Sequence, residues 1–267
     1  VTVTGTAHAD DPVRGTLAKA SARTSPWPLL PASRLAHRPH GRLRLRAAGR
    51  RHRRRRPRPG GADARLLGVG PDRAGDRLAL LDAFEADLLR VFDPHGPAPR
   101  HPLLRRLRPT VRRCSLTPEP FLGLIAANRQ DQLVRRYETY DDLLAYCELS
   151  ANPVGRLVLA VTGTATPERI RRSDEICTAL QIVEHLQDVA EDLARDRIYL
   201  PAEDMKRFGV READLAAATA GAPVRALIAH EARRARGLLD AGAPLVGSVR
   251  GRLRLLLAGF VGADARP

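Results

Sequence analysis

Between Ala179 and Pro201 the chain reads Ala179-Leu-Gln-Ile-Val-Glu-His-Leu-Gln-Asp-Val-Ala-Glu-Asp-Leu-Ala-Arg-Asp-Arg-Ile-Tyr-Leu-Pro201. At the helical period, Gln181, Glu184, Asp188 and Asp192 fall on one stripe. Like charges four residues apart repel by about 0.2–0.5 kcal/mol per pair, so this ladder, flanked by Leu180, Val183 and Leu186, asks for a counter-charge. Mg²⁺ is a hard cation that takes only one or two carboxylates directly and fills its octahedron with water and phosphate oxygens. Such a spacing therefore suits a metal that bridges protein to a diphosphate. The alternative is a solvated acidic face answered by Arg195 and Arg197.

A second block, Tyr137-Glu-Thr-Tyr-Asp-Asp-Leu-Leu-Ala-Tyr-Cys-Glu-Leu-Ser-Ala-Asn-Pro-Val-Gly155, combines a Tyr-Cys pair with a turn of small residues. It follows Asn128-Arg-Gln-Asp-Gln132. The first string resembles the second aspartate-rich motif of the squalene and phytoene synthase family, and the second resembles that family's substrate-helix signature. The form Ser-Ala-Asn-Pro-Val-Gly is most similar to the branch that serves hopanoid biosynthesis, the squalene or hydroxysqualene synthases. The resemblance runs roughly from Leu78 to Val261 and fails in the first seventy residues.

The resemblance implies a Mg²⁺-dependent enzyme acting on an isoprenoid diphosphate, farnesyl or presqualene diphosphate, with phytoene synthase as the alternative. It implies that Asp188 and Asp192 hold the metal with Glu184, which stands where many relatives carry Asn. Gln181 becomes a polar neighbour of the site, and Arg197 and Tyr199 close the motif by orienting the acids or touching phosphate. Gln187 stands where relatives often place Arg. Tyr146, Ser150, Ala151, Val154 and Gly155 would line the isoprenoid cavity, and Tyr146 would offer a ring face to a carbocation. Plain helix packing is the alternative for each of these five. Cys147 reads as a small buried hydrophobe.

The elements that must position these residues are helical. From Arg77 onward apolar residues recur at helical spacing. Breaks fall at Pro94 to Pro102, Pro118, Pro153, Pro167, Pro201, Gly221 to Pro223 and Gly242 to Pro244. Seven or eight helices with short connections predict an all-α antiparallel bundle, and Thr117-Pro118 and Thr166-Pro167 look like helix starts. The cluster Asp82-Ala-Phe-Glu-Ala-Asp87 puts Asp82 and Asp87 on different faces and reads as a helix surface. The last apolar run, Leu253 to Val261, is short for the family and would leave that wall of the pocket incomplete.

At 267 residues and 43% apolar, one helical domain over residues 72–267 has enough material for a core. Residues 1–71 are dominated by Pro, Gly and Arg and predict an irregular, disordered segment. The three cysteines, Cys114, Cys147 and Cys177, lack metal or disulfide spacing and suit a reduced cytoplasm. With no membrane-spanning run and no signal peptide, the expectation is a cytoplasmic chain, with contact at the inner membrane face left open. The net charge of +15 is local, because twelve arginines between Arg34 and Arg58 leave only +3 for the rest. The rival reading is an Arg-rich protein whose residues 34 to 58 grip nucleic acid or anionic lipid; against it, that stretch has no aromatic residue for base stacking and no recognition module.

The family's first acidic motif should precede Asp82, yet no Asp or Glu occurs between Pro12 and Ala62. The stretch Gly41-Arg-Leu-Arg-Leu-Arg-Ala-Ala-Gly-Arg-Arg-His-Arg-Arg-Arg55 can be encoded so that a shift of one nucleotide gives Ala-Val-Tyr-Gly-Phe-Ala-Arg-Leu-Val-Asp-Asp-Ile-Gly-Asp, which resembles that motif. Shifted the other way, Arg23-Thr-Ser-Pro-Trp-Pro28 can give Glu-Asn-Phe-Pro-Val, another string of this branch. Residues from about 23 to 60 therefore read as an out-of-frame translation. A chain so altered is expected to bind substrate poorly and to turn over little, since the departing diphosphate needs metal clamped from both sides.

Overall fold

The computed structural model describes residues 61–217 and 219–263. Every regular element among them is a helix: α1 (Gly61–Leu67), α2 (Arg77–Phe92), α3 (Pro102–Arg113), α4 (Glu119–Leu133), α5 (Tyr140–Ser150), α6 (Asn152–Val161), α7 (Pro167–Gln187), α8 (Val189–Ala194), α9 (Ala202–Arg207), α10 (Glu212–Leu215), α11 (Ala222–Gly242), α12 (Pro244–Ser248) and α13 (Gly251–Ala263). The all-α expectation holds, and the Pro- or Gly-marked breaks fall between helices or at a helix end, as with Pro153 in the first turn of α6 and Pro167 at the start of α7. The helix number is higher than the periodicity suggests, because α8, α9, α10 and α12 have only four to six residues and give no sustained period.

Local chemistry explains the helix starts. Asp76 accepts from the Ala79 amide, Thr166 from the Arg169 amide, and Thr139 forms a reciprocal capping box with Asp142. The long helix α7 is the hub, packed against α5, α6 and α11. Its contacts with α6 and α11 are close because each partner brings a glycine. A Cβ on Gly155 of α6 would stand 2.3 Å from Ser173 Oγ, and one on Gly242 of α11 would stand 2.7 Å from the Arg172 carbonyl oxygen. Leu81, Phe84, Leu88, Leu104, Phe121 and Leu124 form one apolar cluster. Leu159, Ile176, Leu239, Leu245 and Val249 form another around α7 and α11.

Three expectations are corrected. The helical part reaches back at least to Gly61 rather than beginning at residue 72. Ala64 and Leu67 of α1 are buried, and Leu67 joins the cluster of Leu81 and Leu88, so burial outweighs the local Gly and Arg content. Asp87 is not on a helix surface: it is buried and accepts from the Arg100 and His101 amides, both at 2.7 Å, tying α2 to the start of α3. Asp82 and Glu85 do face outward and share Arg129 of α4. Finally, the acidic stripe is not carried by one unbroken helix, because Asp188, at φ −97° and ψ 9°, ends α7 and opens α8. The arginine-rich stretch, the out-of-frame reading and the first acidic motif lie outside the described residues. Among the described residues no helix is long and apolar enough to cross a membrane.

Candidate active site

Two non-helical segments bring the sequence motifs together. Residues 134–139, between α4 and α5, run beside residues 195–201, between α8 and α9. The Ile198 amide donates to the Arg135 carbonyl at 2.9 Å, and the Ala202 amide donates to the Tyr137 carbonyl at 2.9 Å. Arg136 locks the outer side of this pair, donating to the Asp196 backbone and side-chain oxygens and to the Glu212 carboxylate. Asp196 adopts φ +59°, so the chain turns sharply after α8.

The inner side is an aromatic cluster. Tyr137, Tyr146, Tyr199 and His185 pack together, with ring centroids 5.5 Å apart for Tyr137 and Tyr146 and 3.7 Å apart for His185 and Tyr199. Gln181 and His185, one turn apart on α7, join at 3.0 Å through Nε2 of each. The Tyr146 hydroxyl donates to Asp131 Oδ1 at 2.9 Å, and the Tyr199 hydroxyl approaches the same oxygen at 3.4 Å. Burial, and then the facing Asp131 carboxylate, hold the Tyr146 phenol well above the ordinary tyrosine range. Arg197 donates to the Asp131 backbone carbonyl at 2.6 Å.

The acids border this cluster. The Asp188 amide donates to the Glu184 carbonyl and the Asp192 amide to the Asp188 carbonyl, so the three acids stay one turn apart across the break. Asp188 and Glu184 are half-buried, whereas Asp192 is only 7% exposed. The Asp192 carboxylate stands 3.8 Å from His185 Nδ1 and 3.9 Å from Arg195 Nη1. His185, Val189, Asp192, Arg197, Ile198, Tyr199 and Leu200 line a small open hollow with room for about one water molecule, so these residues do not by themselves enclose a ligand-sized cleft. Of the three acids only Asp192 lines the hollow, and among the described residues Glu184, Asp188 and Asp192 are not gathered as a three-ligand set; a cation such as Mg²⁺, which needs only one or two carboxylates, would still find hard oxygen donors there.

The other residues singled out in the sequence sit apart from this hollow. Ser150 ends α5 with its hydroxyl buried, and Ala151 is the joint between α5 and α6. Val154 packs against the cluster of Phe121 and Leu124, while Gly155 faces Ser173 and Cys177 of α7. Cys147 is fully buried beside Tyr146, as a small hydrophobe.

Sequence reasoning missed the roles of Asp131, His185 and Tyr137. One trace was present: Asp131 lies in the last turn of α4, where a negative charge opposes the helix dipole. It also missed a second group in which Asp204 of α9 and His230 and Glu231 of α11 bring ligand atoms within 4.8 Å of one another. Arg234 donates to both carboxylates there and lies 4.2 Å over the Tyr140 ring, so the positive charge is already supplied by the protein. Burial pushes the Glu231 carboxyl up to about 7 against the pull of Arg234.

Comparison with known proteins shows what the chain as a whole is similar to. A hydroxysqualene synthase from Sinorhizobium fredii is 34% identical over 183 residues, spanning 68% of this chain and 59% of that protein. A phytoene synthase from Arthrospira platensis is 36% identical over 180 residues, spanning 62% of this chain and 57% of that protein. The chain thus spans less than two thirds of the length of these relatives. Among solved structures, the squalene synthase HpnC from Alicyclobacillus acidocaldarius superposes with a TM-score of 0.67 at 44% identity, covering 76% of each chain. A dehydrosqualene synthase in complex with ligand gives 0.65 at 27% identity, covering 76% of this chain and 70% of the other. With residues 68–266 also matching the family as a whole, the chain belongs to the squalene/phytoene synthase family.

Proposed function

We propose that this chain is built for Mg²⁺-dependent chemistry on farnesyl or presqualene diphosphate, leading to squalene or hydroxysqualene. The observation that carries this reading is the buried Asp192 at a hollow walled by His185 and Tyr199. Asp188 and Asp192, with Glu184, would hold the metal, which when bound neutralises charge gathering on the departing diphosphate. Arg197 lines the same hollow and adds a fixed positive charge beside it. The tyrosine cluster would turn ring faces, which carry negative potential, toward the hydrocarbon part of the substrate. The apolar wall of Val189, Ile198 and Leu200 would keep stray water from a reactive cation.

The reading includes an impaired chain, because residues 13–61 hold no carboxylate side chain to face Asp188 and Asp192. The test is incubation of labelled farnesyl or presqualene diphosphate with Mg²⁺ and either this chain or one encoded with the frame restored over residues 23 to 60. Product is expected from the restored form alone. Equal turnover by both would overturn the impairment, and product from neither would overturn the function. The natural codons supply a second check, since they must yield the acidic motif in another frame. A phytoene synthase reading is favoured by the Arthrospira platensis relative, and product from geranylgeranyl diphosphate in the same assay would select it. We place the protein in the cytoplasm, where pelleting with anionic vesicles would reveal any contact with the membrane face.

A further inference from the structure

We infer that Asp131 is a positioning residue of this site, one that gathers the hydroxyls of Tyr146 and Tyr199 on a single carboxylate and so fixes the ring faces and the negative potential that receive a cation. The inference rests on the isoprenoid diphosphate reading and deepens it. Three features of the molecule carry it.

The first is convergence. Tyr146 comes from α5 and Tyr199 from the segment after α8, yet both hydroxyls meet Asp131 Oδ1, at 2.9 and 3.4 Å. Two rings from distant parts of the chain are thereby pinned at their far ends, while Tyr199 lines the hollow and stacks on His185. The second is placement. A carboxylate in the last turn of a helix opposes the helix dipole and is unfavourable there. Here it is retained, half-buried, on the final turn of α4. Arg197 answers the same helix end by donating to the Asp131 carbonyl, so this side of the site is one assembly of acid, arginine and two phenols. The third is electrostatic order. In diphosphate departure the carbon–oxygen bond breaks heterolytically, both electrons leave with the diphosphate, and the hydrocarbon keeps a positive charge. The acids proposed to hold the metal suit, through it, the departing anion, whereas Asp131 and the tyrosine faces suit the cation left behind; Arg197 lines the hollow and bonds the Asp131 carbonyl, so it touches both. The anion and the cation would thus be drawn to different groups of the same site.

The test uses the full chain, both as it stands and with the frame restored over residues 23 to 60, with Mg²⁺ and inorganic diphosphate, and measures calorimetric binding of two farnesyl-like probes that differ at one atom. One carries an ammonium nitrogen where the cationic carbon would form, and the other carries a neutral carbon. Asp131→Asn should weaken the ammonium probe about tenfold and change the neutral probe by less than about twofold, since only the first senses the lost charge. Equal loss of both, or loss of neither, would mean that Asp131 is a packing residue and overturn the inference. Ultraviolet titration of tyrosinate gives a readout that needs no ligand: removal of the facing anion should let the phenols ionise at lower pH than in the parent chain. An unchanged titration also overturns it. Where Asp131→Asn fails to fold, Tyr146→Phe leaves the carboxylate in place and removes one hydroxyl; it should reduce the preference for the ammonium probe, and an intact preference counts against the inference. If neither the chain as it stands nor the frame-restored chain binds either probe, the diphosphate reading fails and this inference with it. If the parent binds both and Asp131→Asn does not discriminate, only this inference fails.

Discussion

His185 and Tyr199 stack with their ring centroids 3.7 Å apart and their planes 23° from parallel, joining the last turn of α7 to the segment that follows α8. This contact holds the two ends of the acidic motif together across the break at Asp188. His185→Ala should destabilise the chain by about 2–4 kcal/mol, from lost packing and the cavity left behind. Tyr199→Phe keeps the stack and removes only the hydroxyl, so it should cost no more than about 1 kcal/mol. Denaturant unfolding of the two variants would check the order.

Asp188→Asn and Asp192→Asn test the metal reading. Asp188 is half-buried and Asp192 is buried, so the neutral isostere should cost less stability at Asp188 than at Asp192. In the chain with the frame restored over residues 23 to 60, Mg²⁺-dependent binding of a prenyl diphosphate analogue should nevertheless fall about tenfold or more for each variant. Chelation of Mg²⁺ should remove binding from the parent chain and have little further effect on the variants. Calorimetry with and without chelator measures all of these.

Gly242 and Gly155 mark close helix contacts of unequal tolerance. A Cβ at Gly242 would meet backbone, the Arg172 carbonyl oxygen at 2.7 Å and the Ile176 nitrogen at 3.2 Å, besides Ile176 Cγ1 at 2.6 Å. A Cβ at Gly155 would meet side-chain atoms, Ser173 Oγ at 2.3 Å and Cys177 Sγ at 2.7 Å, and the serine hydroxyl can rotate away. Gly242→Ala should therefore destabilise by about 1–3 kcal/mol, and Gly155→Ala by less. A double variant Gly155→Ala, Ser173→Ala should recover part of the Gly155→Ala loss in thermal melting.

Glu231 predicts a pH dependence. Its carboxyl is 1% exposed and faces Asp204, His230 and Arg234, with Tyr140 beside Arg234. Burial raises its folded pKa from 4.5 to about 7. Between those values the folded state holds a proton that the unfolded state has released. This contribution to stability is therefore full below pH 4.5 and is lost as pH rises through about 7. Glu231→Gln should flatten that part of the stability curve, measured as the unfolding midpoint from pH 4.5 to 7. An unchanged slope in the variant would show that the proton belongs elsewhere.

The acidic ladder, the Tyr-Cys and Ser-Ala-Asn-Pro-Val-Gly string, and the helix boundaries at Pro and Gly were all legible in the sequence. They are local: spacing along 3.6 residues per turn and the conformational limits of Pro need no knowledge of the rest of the chain. Gly155 shows where local reading stops. A small residue can admit a ligand or another helix, and only the position of α7 reveals that its open side faces Ser173 and Cys177.

By itself, then, the sequence determined that the described part of this protein is helical, that it carries carboxylates at intervals of one helical turn, and that its excess positive charge is concentrated in one stretch. Tertiary structure alone decided which groups meet. Asp131, Tyr146 and Tyr199 are separated by up to 68 residues, and Asp204 and Arg234 by 30, yet each set shares hydrogen bonds. Such contacts arise because segments 134–139 and 195–201 pair side by side and because α11 packs along α7. Burial then changes the chemistry: a Tyr146 phenol that would titrate ordinarily in water is held protonated by low polarity and a facing carboxylate, an effect that exists only once the chain has closed around it.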